Sequence, residues 1–431
     1  MRWLWDEMDD KMNLKGLKRA FEADGFDQLE VYGVEKKTSI SEVSDNKVEA
    51  VNFNDNFKVG IRALVDNRIG FSTTSNLKNL KKTAQKAIEQ AKLSQMRLIS
   101  FPVKNRFPKV EGLYDKKIEK KTVDQTIDQI NNCLNSIKFD VVDGSVQTNI
   151  SKRSLVNSCG VEIEEKKSLK NAYFSISDGN ITRFFSQTDT TEFELREVGI
   201  KAESLLRRSK DRKNISSGNY DILLTPRAQE QIFSGLLYPS FNADNVQRGK
   251  SFLEGKKGEE IFSENMSIVD NGMIKGCVGT RSFDREGTTS QKTVLVDEGV
   301  VNNFLYDLQR AEKEGIKSTG NAIGGSSTSP RIGPTNIILD GLVRDMPTDK
   351  LLIIESVSGV HTANPESGDY SLNILCGFLN ENGNEVGIKS GMLVGNIFDL
   401  LQNFSHFVGE QQKSGRLVTK DAIFRDQKVI V

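Results

Sequence analysis

Hydrophobic positions follow two different periods along the first half of the chain. Apolar residues recur every three or four positions in four stretches, which predicts amphipathic helices there. These stretches are 10–23, 76–93, 122–137 and 192–209. Between the stretches 10–23 and 76–93, apolar and polar residues alternate, as expected for strands with one buried face. We predict strands over 29–43 and 47–53, and a hairpin over 57–74 that turns at Asp66-Asn67.

The segment from 139 to 188 predicts a β-meander, because its apolar runs are short and are separated by turn residues. Its turns are expected at Asp143-Gly144, Ser158-Cys159-Gly160 and Asp178-Gly179-Asn180. A polar stretch over 210–219 follows the fourth helix and marks a domain boundary. The predicted domains are therefore 1–215 and 216–431.

The second half of the chain is rich in short strands and turns. It opens with a strand that leads into a helix at Pro226, since proline is favoured at the first helical position. Turns are predicted at 270–272, 297–299 and 382–384, each of which contains Gly and Asn or Asp. The fold class is predicted to be α+β with two domains: an N-terminal mixed α/β domain with an antiparallel sheet, and a β-rich C-terminal domain.

Charge and composition narrow the class of protein. The 431 residues include 59 Lys plus Arg and 59 Asp plus Glu, so the formal net charge is zero. This balance removes the general electrostatic argument for nucleic acid or an anionic membrane as the main partner. No apolar run approaches the roughly 20 residues that span a bilayer, and the acidic start of the chain lacks the apolar core of a signal peptide. We expect a soluble, cytoplasmic protein.

The residues that usually carry metal or nucleophilic chemistry are few and scattered. The four cysteines are Cys133, Cys159, Cys277 and Cys376. Their wide separation favours reduced thiols over disulfides or a thiolate zinc site. The two histidines, His361 and His406, have no second ligand at helical spacing. A Ser-His-Asp triad stays possible, although no G-x-S-x-G nucleophile elbow occurs.

The glycine-rich segment 320–329 raises the possibility of a phosphate-binding loop. A Walker motif would need Lys after the last glycine, and none follows here. At Gly249-Lys250-Ser251 the motif's first glycine is replaced by Asp244, and a dinucleotide G-x-G-x-x-G is absent. The segment is therefore interpreted as a structural or mobile loop.

The stretch SGVHTANPESGDYSL, 358–372, concentrates polar side chains beside turn-forming residues. Gly359, Pro365 and Gly368 favour a turn after an apolar strand. The side chains that could contact a peptide or a partner subunit are His361, Asn364, Glu366, Asp369 and Ser371. Loops at strand ends often carry ligand contacts. The alternative is a turn that satisfies its own hydrogen bonds and supports the architecture.

Five stretches in this order carry a family resemblance. They are EVYGVEKKTSISEVSDNKVEAV, KSFLEGKKGEEIFSENMSIVDN, SFDREGTTSQKTVLVDEGVVNNFLYDL, KSTGNA, and GVHTANPESGDYSLNILCGFLNENGNEV running into GMLVGNIFDLL. Together they resemble the TldD/PmbA family, specifically its PmbA (TldE) branch, over nearly the whole chain after about residue 25.

The resemblance implies a peptidase system. In this family a TldD-type subunit carries a zinc-binding H-E-x-x-x-H helix and a later Cys ligand, and it pairs with a PmbA-type subunit. The pair cleaves unfolded or small peptides, including leader peptides; an older family name is modulator of DNA gyrase.

Aligned to this pattern, the chain lacks the metal ligands. Counting back from Arg248-Gly249 puts the two histidine positions near Ser234 and Pro239, and counting from 413–415 puts the Cys position at about Gln411. None is a usual zinc ligand. Glu230 is nearby, but it has no histidine companions.

The resemblance therefore predicts a subunit of a metallopeptidase complex that is inactive alone and holds no cofactor. Zinc is expected in the TldD-type partner, unfolded peptide is expected as the substrate, and a homodimer is expected in isolation. No nucleic acid or membrane partner is expected. Two alternatives stay open: a stand-alone peptidase or hydrolase acting as a homodimer, and a regulatory binding protein without enzymatic activity.

Overall fold

The computed structural model describes residues 13–347 and 350–431. The α-helices are α1 Leu14–Leu17, α2 Leu80–Leu93, α3 Lys116–Lys120, α4 Val123–Ser136, α5 Leu195–Arg208, α6 Pro226–Leu236, α7 Ala243–Gln247, α8 Leu308–Lys313 and α9 Ile397–Gln402. Short 3₁₀ helices span Lys18–Glu22, Leu77–Asn79, Tyr238–Phe241 and Val360–Thr362.

The strands of the N-terminal half are β1 Gln28–Ser44, β2 Lys47–Val65, β3 Arg68–Thr74, β4 Asp140–Asn157, β5 Glu162–Ser177 and β6 Thr182–Asp189. The later strands are β7 Arg212–Lys213, β8 Gly218–Leu224, β9 Met266–Asn271, β10 Lys292–Asp297, β11 Val300–Val301, β12 Ala322–Ile323, β13 Arg331–Ile332, β14 Ile337–Gly341, β15 Leu351–Ser358, β16 Asp369–Glu381, β17 Asn384–Ile388, β18 Met392–Asn396, β19 Phe404–Ser414 and β20 Leu417–Ile430.

The first six strands form one antiparallel sheet in the order β3-β2-β1-β4-β5-β6. Successive side chains of a strand point to opposite faces. Leu29 and Val31 of β1 pack with the buried face of α2, while Phe174 of β5 packs with α4 and α5. The three helices therefore cover one face of the sheet, and the polar residues that alternate with these positions lie on the other face.

The second sheet contains a closed barrel. β8 pairs with β15, β15 with β16, β16 with β18, β18 with β20, and β20 returns to β8. The sheet continues from β20 through β14 to β9, β10 and β11, and from β16 through β17 to β7, while β19 pairs with β20. Strands β12 and β13 form a separate two-stranded sheet. Barrel residues such as Leu224 and Leu372 share one apolar core with Ile232 and Phe233 of α6.

The polar face of the first sheet meets the C-terminal region through buried charges. Arg62 donates to both carboxylate oxygens of Glu30, at 2.8 and 2.6 Å, and to Glu286 at 2.5 Å. Arg285 donates to Glu30 at 3.0 Å. Each of the four residues is at most 3 % exposed. The alternation of charged and apolar residues along β1 therefore marks an internal contact.

The α+β fold class is confirmed. The helix expected over 76–93 starts as a 3₁₀ turn in which the Asn76 side chain accepts from the backbone N–H of Lys78. The helix expected over 122–137 is α4, and Thr122 with Gln125 closes its capping box. The hairpin turn at Asp66-Asn67 is present, with both residues at positive φ. Among the described residues, no helix is long and apolar enough to cross a bilayer.

Several predicted boundaries are wrong. The turn at Asp143-Gly144 lies inside β4, because both residues pair with β5 beside an irregularity after Val141. The separate strand over 47–53 and the first arm of the next hairpin are one strand, β2, because β1 pairs with all of it. The helix expected from 192 starts at Leu195.

Two other sequence predictions are not decided by the fold. Residues 10–12 of the first predicted helix, and the acidic start interpreted as lacking a signal segment, lie outside the described residues. The domain division after residue 215 stays a prediction. Strand β7, which precedes that division, already pairs with β17 of the second sheet.

Candidate functional site

Helix α6 is held firmly between the barrel and the C-terminal strands. Thr225 caps it and Pro226 occupies its first turn, so the chain passes from β8 into the helix without a loop. The buried side-chain amide of Gln229 donates to the backbone oxygens of Leu224 and Lys420, each at 2.8 Å. The helix therefore has a fixed position relative to β8 and β20.

The positions aligned with zinc ligands do not fit a zinc ion. Ser234 is exposed on α6 and its hydroxyl donates to the Gln231 backbone oxygen at 3.3 Å. Pro239 lies in the 3₁₀ helix that follows, and Gln411 is exposed on β19. With the first histidine position taken at Ser234, the glutamate position of the H-E-x-x-x-H pattern would be Gly235. Zinc requires imidazole, thiolate or carboxylate ligands, and no three such residues cluster within 13–347 and 350–431.

Gly235 has little room for a side chain. A β-carbon built on Gly235 would stand 2.4 Å from Cγ1 of Val360, closer than real β-carbons come to another heavy atom. Val360 opens the 3₁₀ turn that follows β15, after Gly359 at φ +94°. The Val357 backbone N–H donates a hydrogen bond to the Gln231 side-chain oxygen at 2.9 Å, which holds β15 against the same helix. The polar stretch identified in the sequence thus lies directly on α6.

Two of the five candidate side chains make hydrogen bonds that stabilise the conformation of this turn. The Asn364 side-chain oxygen accepts from the backbone N–H groups of Glu366 at 2.9 Å and Ser367 at 3.4 Å. The Asp369 carboxylate accepts from the hydroxyl of Ser367 at 2.6 Å and the side-chain amide of Asn396 at 2.9 Å. These two bonds lower the pKa of Asp369. Asn364 and Asp369 are further joined through their backbones, at 3.0 Å.

The other three candidates point to different neighbours. The exposed His361 follows Val360 at the surface. Glu366 lies 3.6 Å from the ammonium group of Lys250, and the Ser371 hydroxyl lies 2.8 Å from the Met392 sulfur. All five residues are exposed, so they share one surface without converging on one atom.

The second histidine, His406, is 5 % exposed. Its Nδ1 lies 3.0 Å from the Ser405 hydroxyl, and burial lowers its pKa. Its Nε2 has no hydrogen-bond partner among the described residues. The ring therefore lies within the second sheet, largely shielded from solvent.

A carboxyl group with an unusual pKa lies one turn before Ser234. Glu230 accepts a short hydrogen bond from the Tyr238 hydroxyl and another from the Arg416 backbone N–H at 3.2 Å. Burial raises the pKa of Glu230 to about 7. Gly415 lies against it, since a β-carbon there would come within 2.8 Å of the carboxylate. Sequence patterns missed Tyr238 and Arg416, because Tyr238 lies beyond the end of α6 and Arg416 is 186 positions away from Glu230.

A buried amine lies on the polar face of the first sheet. The Lys167 ammonium donates to the backbone oxygens of Val278 at 2.6 Å and Thr280 at 2.8 Å. Burial, and next the nearby Arg153, lower the pKa of Lys167 to about 7. Glu230 and Lys167 can therefore both exchange protons near neutral pH, but neither is accompanied by a set of metal ligands.

Comparison with known proteins agrees with this architecture. A family model described as the PmbA/TldA metallopeptidase C-terminal domain matches residues 217–430, and one described as PmbA/TldA metallopeptidase domain 1 matches 29–91. Two solved structures have a TM-score of 0.85 and show the same fold. TldE from Thermococcus kodakarensis is 20% identical and the match covers 96% of this chain and 99% of that one. A putative modulator of a DNA gyrase from Thermotoga maritima is 22% identical, with 96% and 98% covered.

Similarity to known sequences extends along almost the entire chain. An uncharacterized protein of Methanocaldococcus jannaschii is 33% identical over 423 residues, which is 96% of this chain and 99% of that protein. The metalloprotease PmbA of Escherichia coli O157:H7 is 26% identical, with 86% and 85% covered. A TldD homolog of Buchnera aphidicola, also called a metalloprotease, is 23% identical, with 84% and 81% covered. The chain therefore belongs to the PmbA/TldD family.

Proposed function

We propose that this chain is the metal-free, PmbA/TldE-like subunit of a heteromeric metallopeptidase that degrades unfolded or small peptides. A TldD-type subunit would supply the zinc and its activated water. The observation that carries this proposal is the contact of Val360 with Gly235. It leaves little room for a side chain at Gly235, which the motif count makes the counterpart of the family's catalytic glutamate, with Ser234 and Pro239 as the counterparts of its histidines.

Hydrolysis by zinc needs about three protein ligands and one open coordination position. The residues at the aligned positions supply none of these ligands, so the proposed chemistry resides in the partner. What this chain retains is the family fold and the exposed turn at 359–371. We assign that turn, with His361 beside α6, to contact with peptide or with the partner subunit. In the absence of the partner, the chain would form a homodimer in the cytoplasm.

The test is reconstitution with a TldD-type subunit from the same genome. Native mass spectrometry should detect a heteromer, and elemental analysis should find zinc in the pair but less than about 0.1 zinc per chain in this protein alone, since a structural or catalytic site would bind it stoichiometrically. Cleavage of an unfolded peptide should require both chains and should stop with chelator.

A matched control uses the partner with its motif glutamate changed to glutamine, which should assemble equally well but not cleave. If this chain alone cleaves peptide in the presence of chelator, it is a stand-alone hydrolase and the proposal is wrong. If native mass spectrometry detects no heteromer and the mixture of the two chains does not cleave peptide, a binding role without enzymatic activity is favoured.

A further inference from the structure

A cavity of about 430 Å³ lies between the first sheet and the C-terminal region. No residue of α6 or of the 359–371 turn lines it. One wall comes from β3, the end of α2 and the segment that follows α2, and the opposite wall comes from residues near 286, 307 and 329. Its size suits a small molecule, since ligand pockets begin near about 300 Å³.

The mouth of the cavity carries two exposed apolar side chains beside polar ones. Leu93 and Met96 line it and remain 82 % and 50 % exposed. Phe71 and Leu98 continue the apolar surface inward. Most of the Leu93 side chain is in contact with water in the folded protein. A ligand that covered it would therefore gain free energy from burying this apolar surface.

The inner end of the cavity is acidic. Asp307 caps α8, with Oδ1 accepting from the Arg310 backbone N–H at 2.8 Å. Its other oxygen, Oδ2, accepts no hydrogen bond from the residues described. Glu286 lies beside it, with one oxygen bound to Arg62 and the other to the Leu308 backbone N–H at 2.8 Å. Burial, and next the neighbouring Glu286, raise the pKa of Asp307 to about 6.

The cations near Asp307 form their ion pairs with other carboxylates. Arg62 binds Glu30 and Glu286, and Arg285 binds Glu30, so these two cations balance those two carboxylates. Arg310 forms its ion pair with Asp244. The other arginine that lines the cavity is the exposed Arg97, at the outer segment. Asp307 therefore has one carboxylate oxygen that accepts no hydrogen bond from the described residues, and this residue lines the cavity.

We propose that this cavity binds a small molecule with a primary ammonium group on an apolar body. The ammonium donates to Oδ2 of Asp307, and the apolar body lies against Leu93 and Met96. A free amine and the N-terminus of a short peptide share this chemistry. The site uses no residue of the proposed peptidase function and does not depend on it.

The test is calorimetric titration of the full chain with leucinamide and with N-acetyl-leucinamide, which has the same apolar body but no charge. Leucinamide should bind at least about ten-fold more tightly, the usual effect of one hydrogen bond to a charged group. The tripeptide Leu-Gly-Gly distinguishes the sources: affinity above that of leucinamide identifies a peptide N-terminus, and equal affinity identifies a small amine. Either result supports the site.

Asp307→Asn removes the charge and keeps a good helix cap, so the variant should fold and lose about ten-fold in leucinamide affinity. Leu93→Ser alters an exposed wall residue and should weaken both probes. Asp115→Asn is the matched control, because Asp115 caps α3 outside the cavity. Equal binding of the acetylated probe, equal binding by Asp307→Asn, or no binding of any probe at about 10 mM, where even weak sites fill, would overturn the proposal.

Discussion

Val360 rests on Gly235, and only 2.4 Å separates its Cγ1 from the place where a β-carbon on residue 235 would stand. The contact joins the turn after β15 to the C-terminal end of α6. It also means that the helix and the turn can approach only while residue 235 has no side chain. Four predictions follow from this region and from the buried charges of the first sheet.

Gly235→Ala should destabilise the protein by about 1–3 kcal/mol, the usual cost of adding a methyl group to a packed contact. The gain in helix propensity, about 1 kcal/mol, would offset part of this cost. Adding Val360→Ala should recover most of the loss, because it removes the opposing atom. Urea unfolding measures the free energy of unfolding of the single variant, the double variant and the control. Ser234→Ala, on the exposed face of the same helix, is the control; equal stability of Gly235→Ala and the parent would show that the turn yields freely.

Glu230→Gln should flatten the pH dependence of stability. The pKa of Glu230 is raised from 4.5 to about 7, so the folded state binds more protons than the unfolded state between these values. Its contribution is therefore favourable below pH 4.5 and is lost as the pH rises to about 7. The shift corresponds to about 3 kcal/mol.

The free energy of unfolding should fall between pH 5 and pH 7 more steeply for the parent than for Glu230→Gln. Glu254→Gln, at another carboxyl position, provides the control. Parallel curves for the parent and Glu230→Gln would mean that Glu230 is already ionised at pH 5.

Substitutions in the 359–371 turn should distinguish residues that stabilise the turn from residues that contact peptide or the partner subunit. Asn364→Ala removes two backbone hydrogen bonds and should cost about 1–2 kcal/mol. His361→Ala should leave stability within about 0.5 kcal/mol, as expected for an exposed side chain, and should lower peptide turnover by the reconstituted pair. Thermal melting and turnover per folded complex are the measurements.

Gly368→Val serves as a reference for structural damage, because Gly368 has φ +86° and a β-carbon there would stand 2.8 Å from Ile397. If His361→Ala leaves turnover unchanged, the turn has an architectural role only.

Glu30→Gln should destabilise the contact between the two sheets by about 3–5 kcal/mol, because Arg62 and Arg285 would lose their shared carboxylate in a buried site. Burial favours the protonated form of Glu30, but the two arginines outweigh it and lower its pKa. The stabilisation is therefore present above pH 4.5 and is lost as the pH falls through the lowered pKa.

Chemical unfolding at pH 7 and pH 3 should show a large difference between parent and Glu30→Gln at pH 7 and a smaller one at pH 3. Glu35→Gln, on the same strand, is the matched comparison. A difference independent of pH would assign the loss to packing instead of charge.

The elements that the sequence predicts well are those whose signals are local. Asp66-Asn67 forms the expected turn because both residues tolerate positive φ. Thr122 and Gln125 stand at capping-box spacing, and α4 begins where they predict. Gly144 misleads for the same reason: a glycine predicts a turn, but here it gives room to Phe174, whose ring would come within 2.9 Å of a β-carbon.

The site could be predicted only in part, because its contacts join distant segments. The turn at 358–372 was recognisable from its glycines and polar residues, and Asn364 and Asp369 do shape it. Its contact with α6 through Val360 leaves no trace in local spacing. The pairing of Glu30 with Arg285, 255 positions apart, is likewise invisible until the two sheets meet.

The closed barrel has a consequence for how the protein is made. β8 is the first barrel strand to leave the ribosome, yet its antiparallel neighbour β20 is the last, and almost the entire second half of the chain lies between them. Until β20 arrives, one edge of β8 has no permanent neighbour, and long-range pairings of this kind form slowly. The nascent chain therefore exposes an unpaired, aggregation-prone strand edge during nearly the whole synthesis of its second half, and we expect its need for chaperones to depend on this interval.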